Sequence, residues 1–187
     1  MKALMTGLIA VFLLQACTQV LTATTEKPMQ EDPGTRSLGS YIDDEIIETK
    51  VMVNIRNTSS ALDAAHINAV SHNGIVLLTG QAPSAALRQQ AEEIADQVKK
   101  VRKVHNEIAI GENSSVMARS NDSWISTKVK SKLSLESTLD ASRIKVVTES
   151  GIVYLMGLVS KAESDTASKI ASTTSGVQKV VRVFEYY

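Results

Sequence analysis

Cysteine is nearly absent from this 187-residue chain: there is one, Cys17. That excludes a disulfide-stapled scaffold. Aromatic residues make up only 4%, which leaves few stacking platforms for single-stranded nucleic acid or for a cell-wall polymer. Neither sign of charge dominates, since 20 bases meet 20 acids. A bulk electrostatic pull toward nucleic acid is therefore missing, and no nucleic-acid partner is expected. The three histidines, His66, His72 and His105, show no metal-ligand spacing. Nucleophile elbows and phosphate-binding loops are missing too. The chain is read as non-enzymatic, with no catalytic residue, metal or cofactor. What it does have is 43% hydrophobic residues, enough to build folded domains.

The longest apolar run, residues 3–14 (ALMTGLIAVFLL), is broken only by Thr6 and Gly7 and follows a short positive end, Met1-Lys2. It is shorter than the roughly 20 residues a membrane-spanning helix needs and has the length of a signal-peptide core. It ends in Leu14-Gln15-Ala16-Cys17, which resembles a bacterial lipobox. The resemblance implies a signal peptide over 1–16, cleavage before Cys17, and acyl chains, palmitate among them, on that thiol and the new amine. At about 0.8 kcal/mol per buried methylene, several chains anchor a protein firmly. Thr18, in place of the aspartate of inner-membrane lipoproteins, implies the outer membrane, periplasmic side. Residues 17–40, rich in Thr, Ser, Gly and Pro, read as a flexible tether.

The remainder is a duplication. IIETKV (46–51) aligns with WISTKV (124–129), ALDAAHINAVSHNGIVLLTG (61–80) with TLDASRIKVVTESGIVYLMG (138–157), and AEEIADQVKKVRKVHNEI (91–108) with ASKIASTTSGVQKVVRVF (167–184). Each copy opens with a helix whose apolar residues recur at i, i+4, i+8: Ile47, Val51 and Ile55, then Ile125, Val129 and Leu133. Asp43-Asp44 reads as the cap of the first helix and Asn121 or Asp122 as that of the second. Two strands follow, joined by two-residue turns at Asn73-Gly74 and Ser150-Gly151. A second helix comes next, with a capping box at Ser160 and Glu163 and a stop at Gly176. A last strand closes each copy, over 104–110 and 180–186. Strands IVLL and IVYLM are apolar at consecutive positions, so both sheet faces need covering. Helices cover one face, and the sister copy is expected to cover the other.

The apolar first helix, the G-I-V-x-L-x-G strand (Gly74 to Gly80, Gly151 to Gly157), the closing GVQKVVRV (176–183) and the segment SNDSWISTKVKSKL (120–133) together resemble the BON domain of bacterial envelope proteins. The fold class expected is α+β: two tandem domains of order α-β-β-α-β, each with a three-stranded sheet and two helices, packed on each other. Their expected extents are 41–113 and 122–187, with a linker over 114–121. The resemblance implies a binding protein that recognises anionic phospholipid (phosphatidylglycerol, cardiolipin) through its second domain. It further implies a role in envelope integrity and enrichment at the division site. Relatives of this kind have a more apolar end to that helix, where residues 133–137 here read LSLES.

The two copies differ in a way that favours a lipid site in the second. Residues 45–113 carry one more acid than base, whereas 122–187 carry two more bases than acids. The only tryptophan, Trp124, stands where the first copy has Ile46. Indoles favour the membrane interface, where the ring sits among headgroups and its N–H stays wet. Lys128, Lys130 and Lys132 follow it with no acid before Leu135. Helical spacing places Trp124, Lys128, Ser131 and Leu135 on one stripe apart from the core, with Thr127 beside it. Trp124, Thr127, Lys128, Ser131 and Leu135 are the candidate lipid contacts, and Cys17 the lipidated residue. The rival reading is a module that docks outer-membrane assembly proteins or a cell-wall enzyme on an apolar sheet.

Overall fold

The computed structural model describes residues 36–187. Cys17, the signal-peptide segment 1–16 and most of the tether 17–40 lie outside the described residues. The first copy runs α1 (Leu38–Thr58), a short α2 (Ser60–Ala64), β1 (His66–His72), β2 (Ile75–Ala82), α3 (Ala85–Asp96), β3 (Lys103–Asn106) and β4 (Ala109–Ile110). The second runs α4 (Val116–Ser134), a 3-10 turn (Ala141–Arg143), β5 (Lys145–Glu149), β6 (Ile152–Val159), α5 (Lys161–Ser172) and β7 (Lys179–Tyr186).

Both hairpins close through the expected two-residue turns. Asn73 and Gly74 have φ 51° and 75°, Ser150 and Gly151 51° and 76°, the doubly left-handed backbone that matches strand twist. Each middle strand pairs antiparallel with the strand before it and parallel with the strand after the helix: β1-β2-β3 in one sheet, β5-β6-β7 in the other. The motif's final glycine has a packing reason. A Cβ at Gly80, where φ is 112°, would fall 1.9 Å from the His66 carbonyl oxygen across the hairpin.

The middle strands serve two cores, as their unbroken apolar runs require. Val76 and Leu78 face α1 and α3 with Ile47, Val51, Ile55 and Ala91; Val153 and Leu155 face α4 and α5 with Ile125, Val129, Leu133 and Ala167. The alternate positions, Ile75 and Leu77 against Tyr154 and Met156, meet in a third core with Val70 and Val183. The copies thus pack sheet to sheet, in the layer order helix, sheet, sheet, helix. Polar contacts rim this seam. Lys145 Nζ donates to Glu48 at 2.7 Å and Gln81 Nε2 to Glu149 at 2.8 Å. Burial, then the negative charges of Glu107 and Glu149, pushes the Tyr154 phenol up to about 12.

Several local expectations are corrected. Asp43-Asp44 does not cap α1: Ser37 does, accepting from Ser40 N–H, so the helix begins inside the segment read as tether. Asn121 and Asp122 do not cap α4 either. Ser115 accepts from Ala118 N–H and the helix starts at Val116, within the expected linker 114–121, because nothing after Ser115 breaks it. α5 ends at Ser172, before Gly176, while its capping box forms as expected. The first copy's closing strand is split. Asn106 Oδ1 accepts from Ile108 N–H at 3.2 Å, competing with the ladder, and Ile108 turns into the core.

Candidate lipid-contact face

The candidate residues all lie on or just past α4, which the sequence places through three features. Ser115 caps it, Ile125, Val129 and Leu133 bury one side against β5 and α5, and Asp122 pins it to a turn. Asp122 is 5% exposed. Its carboxylate accepts from Ser150 N–H and Gly151 N–H, both at 2.8 Å. The first copy has the same device. Asp44 accepts from Ser71 Oγ at 2.6 Å, Asn73 N–H at 2.8 Å and Gly74 N–H at 2.9 Å, and pairs with Arg36. Burial pushes the Asp44 carboxyl up, but those hydrogen bonds and the guanidinium outweigh it and hold the group below its ordinary value. The aspartates read as helix caps are clamps that fix each first helix to the tip of its hairpin.

The opposite face of α4 points to solvent. Trp124 is 62% exposed and Leu135, one residue past the helix, 86%. With Ser131, also exposed, they fall within about 40° of one line on the helical wheel, about 140° from the core residues. Thr127 is exposed, its hydroxyl donating back to the Ser123 carbonyl. Lys128 differs from the expectation of a free headgroup ligand. It is half-buried, and its ammonium donates to the Ser175 carbonyl, bracing α4 against the turn before β7. Gly176 in that turn has φ 97°, and a Cβ there would sit 3.0 Å from Ile125 Cγ1. Lys130 and Lys132 are exposed, and neither has an ion-pair partner among the described residues. Ser134, between the two leucines, donates to the Lys130 carbonyl, so its hydroxyl is already partnered.

Sequence reasoning missed Met117. It is 80% exposed and lies on the Trp124 line seven residues earlier, two turns along the helix. The misplaced helix start hid it. Ser115 followed by an uninterrupted helix-compatible run was the available signal.

Among the described residues no three His, Cys, Asp or Glu side chains gather to hold a metal ion. No described helix is long and apolar enough to cross a membrane. The described chain is thus a duplicated α+β unit whose sheets pack on each other and whose indole-bearing helix face is exposed. Residues 43–112 and 121–186 match the BON domain model. The chain belongs to the BON-domain family. It is 36% identical over 177 residues to the Outer membrane lipoprotein DolP of Haemophilus influenzae, covering 95% of this chain and 92% of that protein. It is 41% identical over 151 residues to a 21 kDa hemolysin of Actinobacillus pleuropneumoniae, covering 81% and 78%. It is 28% identical over 152 residues to Osmotically-inducible protein Y of Escherichia coli, covering 80% and 75%. A solved structure of CdsD, a structural protein of the Chlamydia trachomatis Type III secretion system, aligns at 13% identity and TM-score 0.31 over 77% of this chain and 63% of that one, too distant to define anything further.

Proposed function

We propose that this chain is an outer-membrane lipoprotein, held on the periplasmic side by acyl chains on Cys17, that binds anionic phospholipid through α4 of its second domain and supports envelope integrity, with enrichment at the division site. It acts by binding rather than by catalysis. The observation that carries the reading is the outward Trp124, 62% exposed, on a helix whose exposed side also carries Met117, Ser131, Lys130 and Lys132, with Leu135 just past its end. Met117, Trp124 and Leu135 together form an exposed apolar line rimmed by polar residues, the kind of patch that marks a contact surface. Here apolar side chains lie along one line and lysines flank it, the pattern of an element lying in a headgroup layer. Each lysine near an anionic surface adds on the order of 1 kcal/mol. Such a contact is weak alone and becomes effective once the acyl anchor raises the local concentration. The similarity to an outer-membrane lipoprotein over 95% of the chain supports the anchor and the compartment. The rival docking reading loses its intended surface, because the apolar sheet faces cover one another.

The test is co-sedimentation of residues 17–187 carrying Cys17→Ser, which lacks the signal segment and the acylation site, with phosphatidylglycerol or cardiolipin vesicles. Trp124→Ala should weaken binding several-fold; unchanged binding rejects the face.

A further inference from the structure

The duplication places a matching groove on each copy, between the second helix and the closing strand. In the first copy Arg88, Glu92, Glu93, Asp96, Lys103 and Asn106 line it. It is laced by its own bonds: Asn106 Nδ2 donates to Glu92 and to the Arg88 carbonyl, and Arg88 returns a bond to the Asn106 carbonyl. In the second copy the groove, about 490 Å³, is lined by Asp165, Ser168, Lys169, Ser172, Gln178, Lys179 and Arg182 among others. Glu92, Glu93 and Asp96 have become Ser168, Lys169 and Ser172. The one acid, Asp165, is taken up by Lys161 and Arg182. Lys169 and Lys179 are exposed, and neither has an ion-pair partner among the described residues. Two uncompensated ammonium groups and the Gln178 amide therefore line one groove. That groove belongs to the helical layer that carries Trp124, since α4 and α5 cover the same sheet face.

We propose that this groove is a phosphate subsite, with Lys169 and Lys179 neutralising one phosphate group and Gln178 Nε2 donating to it. The inference rests on the lipid reading above and names a second point of headgroup capture in the same domain. The first copy keeps a lysine, Lys103, at the place of Lys179 but has Glu93 at that of Lys169, with Glu92 and Asp96 beside it, and so lacks the site. Ammonium groups recognise a phosphate as point charges, without the bidentate geometry of a guanidinium, so both a lipid phosphodiester and free phosphate suit it.

The experiment uses residues 17–187 carrying Cys17→Ser, without the signal segment. Lys169→Gln with Lys179→Gln should lower affinity for phosphatidylglycerol vesicles about thirtyfold, as two lysines at an anionic surface imply. Lys99→Gln with Lys103→Gln, removing the same charge from the first copy, should change it less than twofold. Equal losses from the two pairs would mean bulk charge and overturn the subsite. No loss from the first pair, with binding still lost in Trp124→Ala, would overturn the subsite and leave the lipid face standing. No loss in any variant would overturn both. An amide NMR titration separates the sources. Shifts at residues 177–179 with inorganic phosphate at constant ionic strength show that the free anion enters. Shifts only with phosphatidylglycerol micelles assign the site to the lipid headgroup. Absence of shifts with either refutes it.

Discussion

Asp122 and Gly151 are joined by a 2.8 Å hydrogen bond from the glycine N–H to a carboxylate in the second turn of α4, and Asp44 and Gly74 repeat the bond at 2.9 Å in α1. Helix and hairpin are formed by local sequence, but their mutual position depends on this contact. Asp122→Ala would strand the Ser150 and Gly151 amides and should cost about 2–6 kcal/mol, at roughly 1–3 kcal/mol for each orphaned donor. Asp122→Asn, which keeps one acceptor oxygen, should cost less. Urea denaturation of the two variants measures the difference; equal stabilities would remove the clamp from the account.

The seam between the sheets should behave as a core rather than as a loose domain contact. Leu77 and Met156 are fully buried and Tyr154 is 2% exposed. Met156→Ala is expected to lose about 2–5 kcal/mol. Nuclear relaxation should return one rotational correlation time for both copies. Two distinct times would show that the sheets do not cover each other in solution.

His72 makes stability depend on pH. Burial, then the positive charge of Arg36, brings its imidazole from 6.5 down to about 4. The unfolded chain takes up this proton near pH 6.5, whereas the folded chain resists until about pH 4. The contribution to stability is therefore complete above pH 6.5 and declines as pH falls toward 4, by about 3 kcal/mol in all. His105, also lowered by burial, acts in the same direction. His72→Gln should flatten the stability profile between pH 4 and 6.5, and a profile parallel to the unsubstituted chain would refute the assignment.

Gly80 is expected to tolerate no side chain. The 1.9 Å approach to His66 makes Gly80→Ala push two strands apart, a loss of at least about 2 kcal/mol. A thermal melt of the variant within about 1 °C of the parent would contradict that packing.

Much of this fold is legible in the sequence because its signals are local or duplicated. Asn73-Gly74 and Ser150-Gly151 specify their turns by chemistry, and the runs at 75–78 and 152–156 announce two buried faces. Trp124 stands out because Ile46 serves as its internal control. The roles of Asp44 and Asp122 are not legible. An acid near a helix start resembles a cap, and the amides it serves lie about thirty residues away. The start of α4 is hidden for a related reason: Ser114, Ser115, Ser120 and Asn121 are all competent caps, and tertiary contacts choose among them. Lys128, an obvious headgroup ligand by spacing, is drawn to the Ser175 carbonyl by a turn that no local pattern places there.

Because Trp124 is the only tryptophan, its emission reports on the proposed contact alone. The most direct measurement is its fluorescence in residues 17–187 carrying Cys17→Ser, titrated with phosphatidylglycerol vesicles and, separately, with neutral phosphatidylcholine vesicles. The account predicts a blue shift with the anionic vesicles that recedes as salt screens the lysines, and no shift with the neutral ones. An emission maximum that stays at its aqueous position while the protein sediments with phosphatidylglycerol would contradict it, since the lipid would then be held by some other surface.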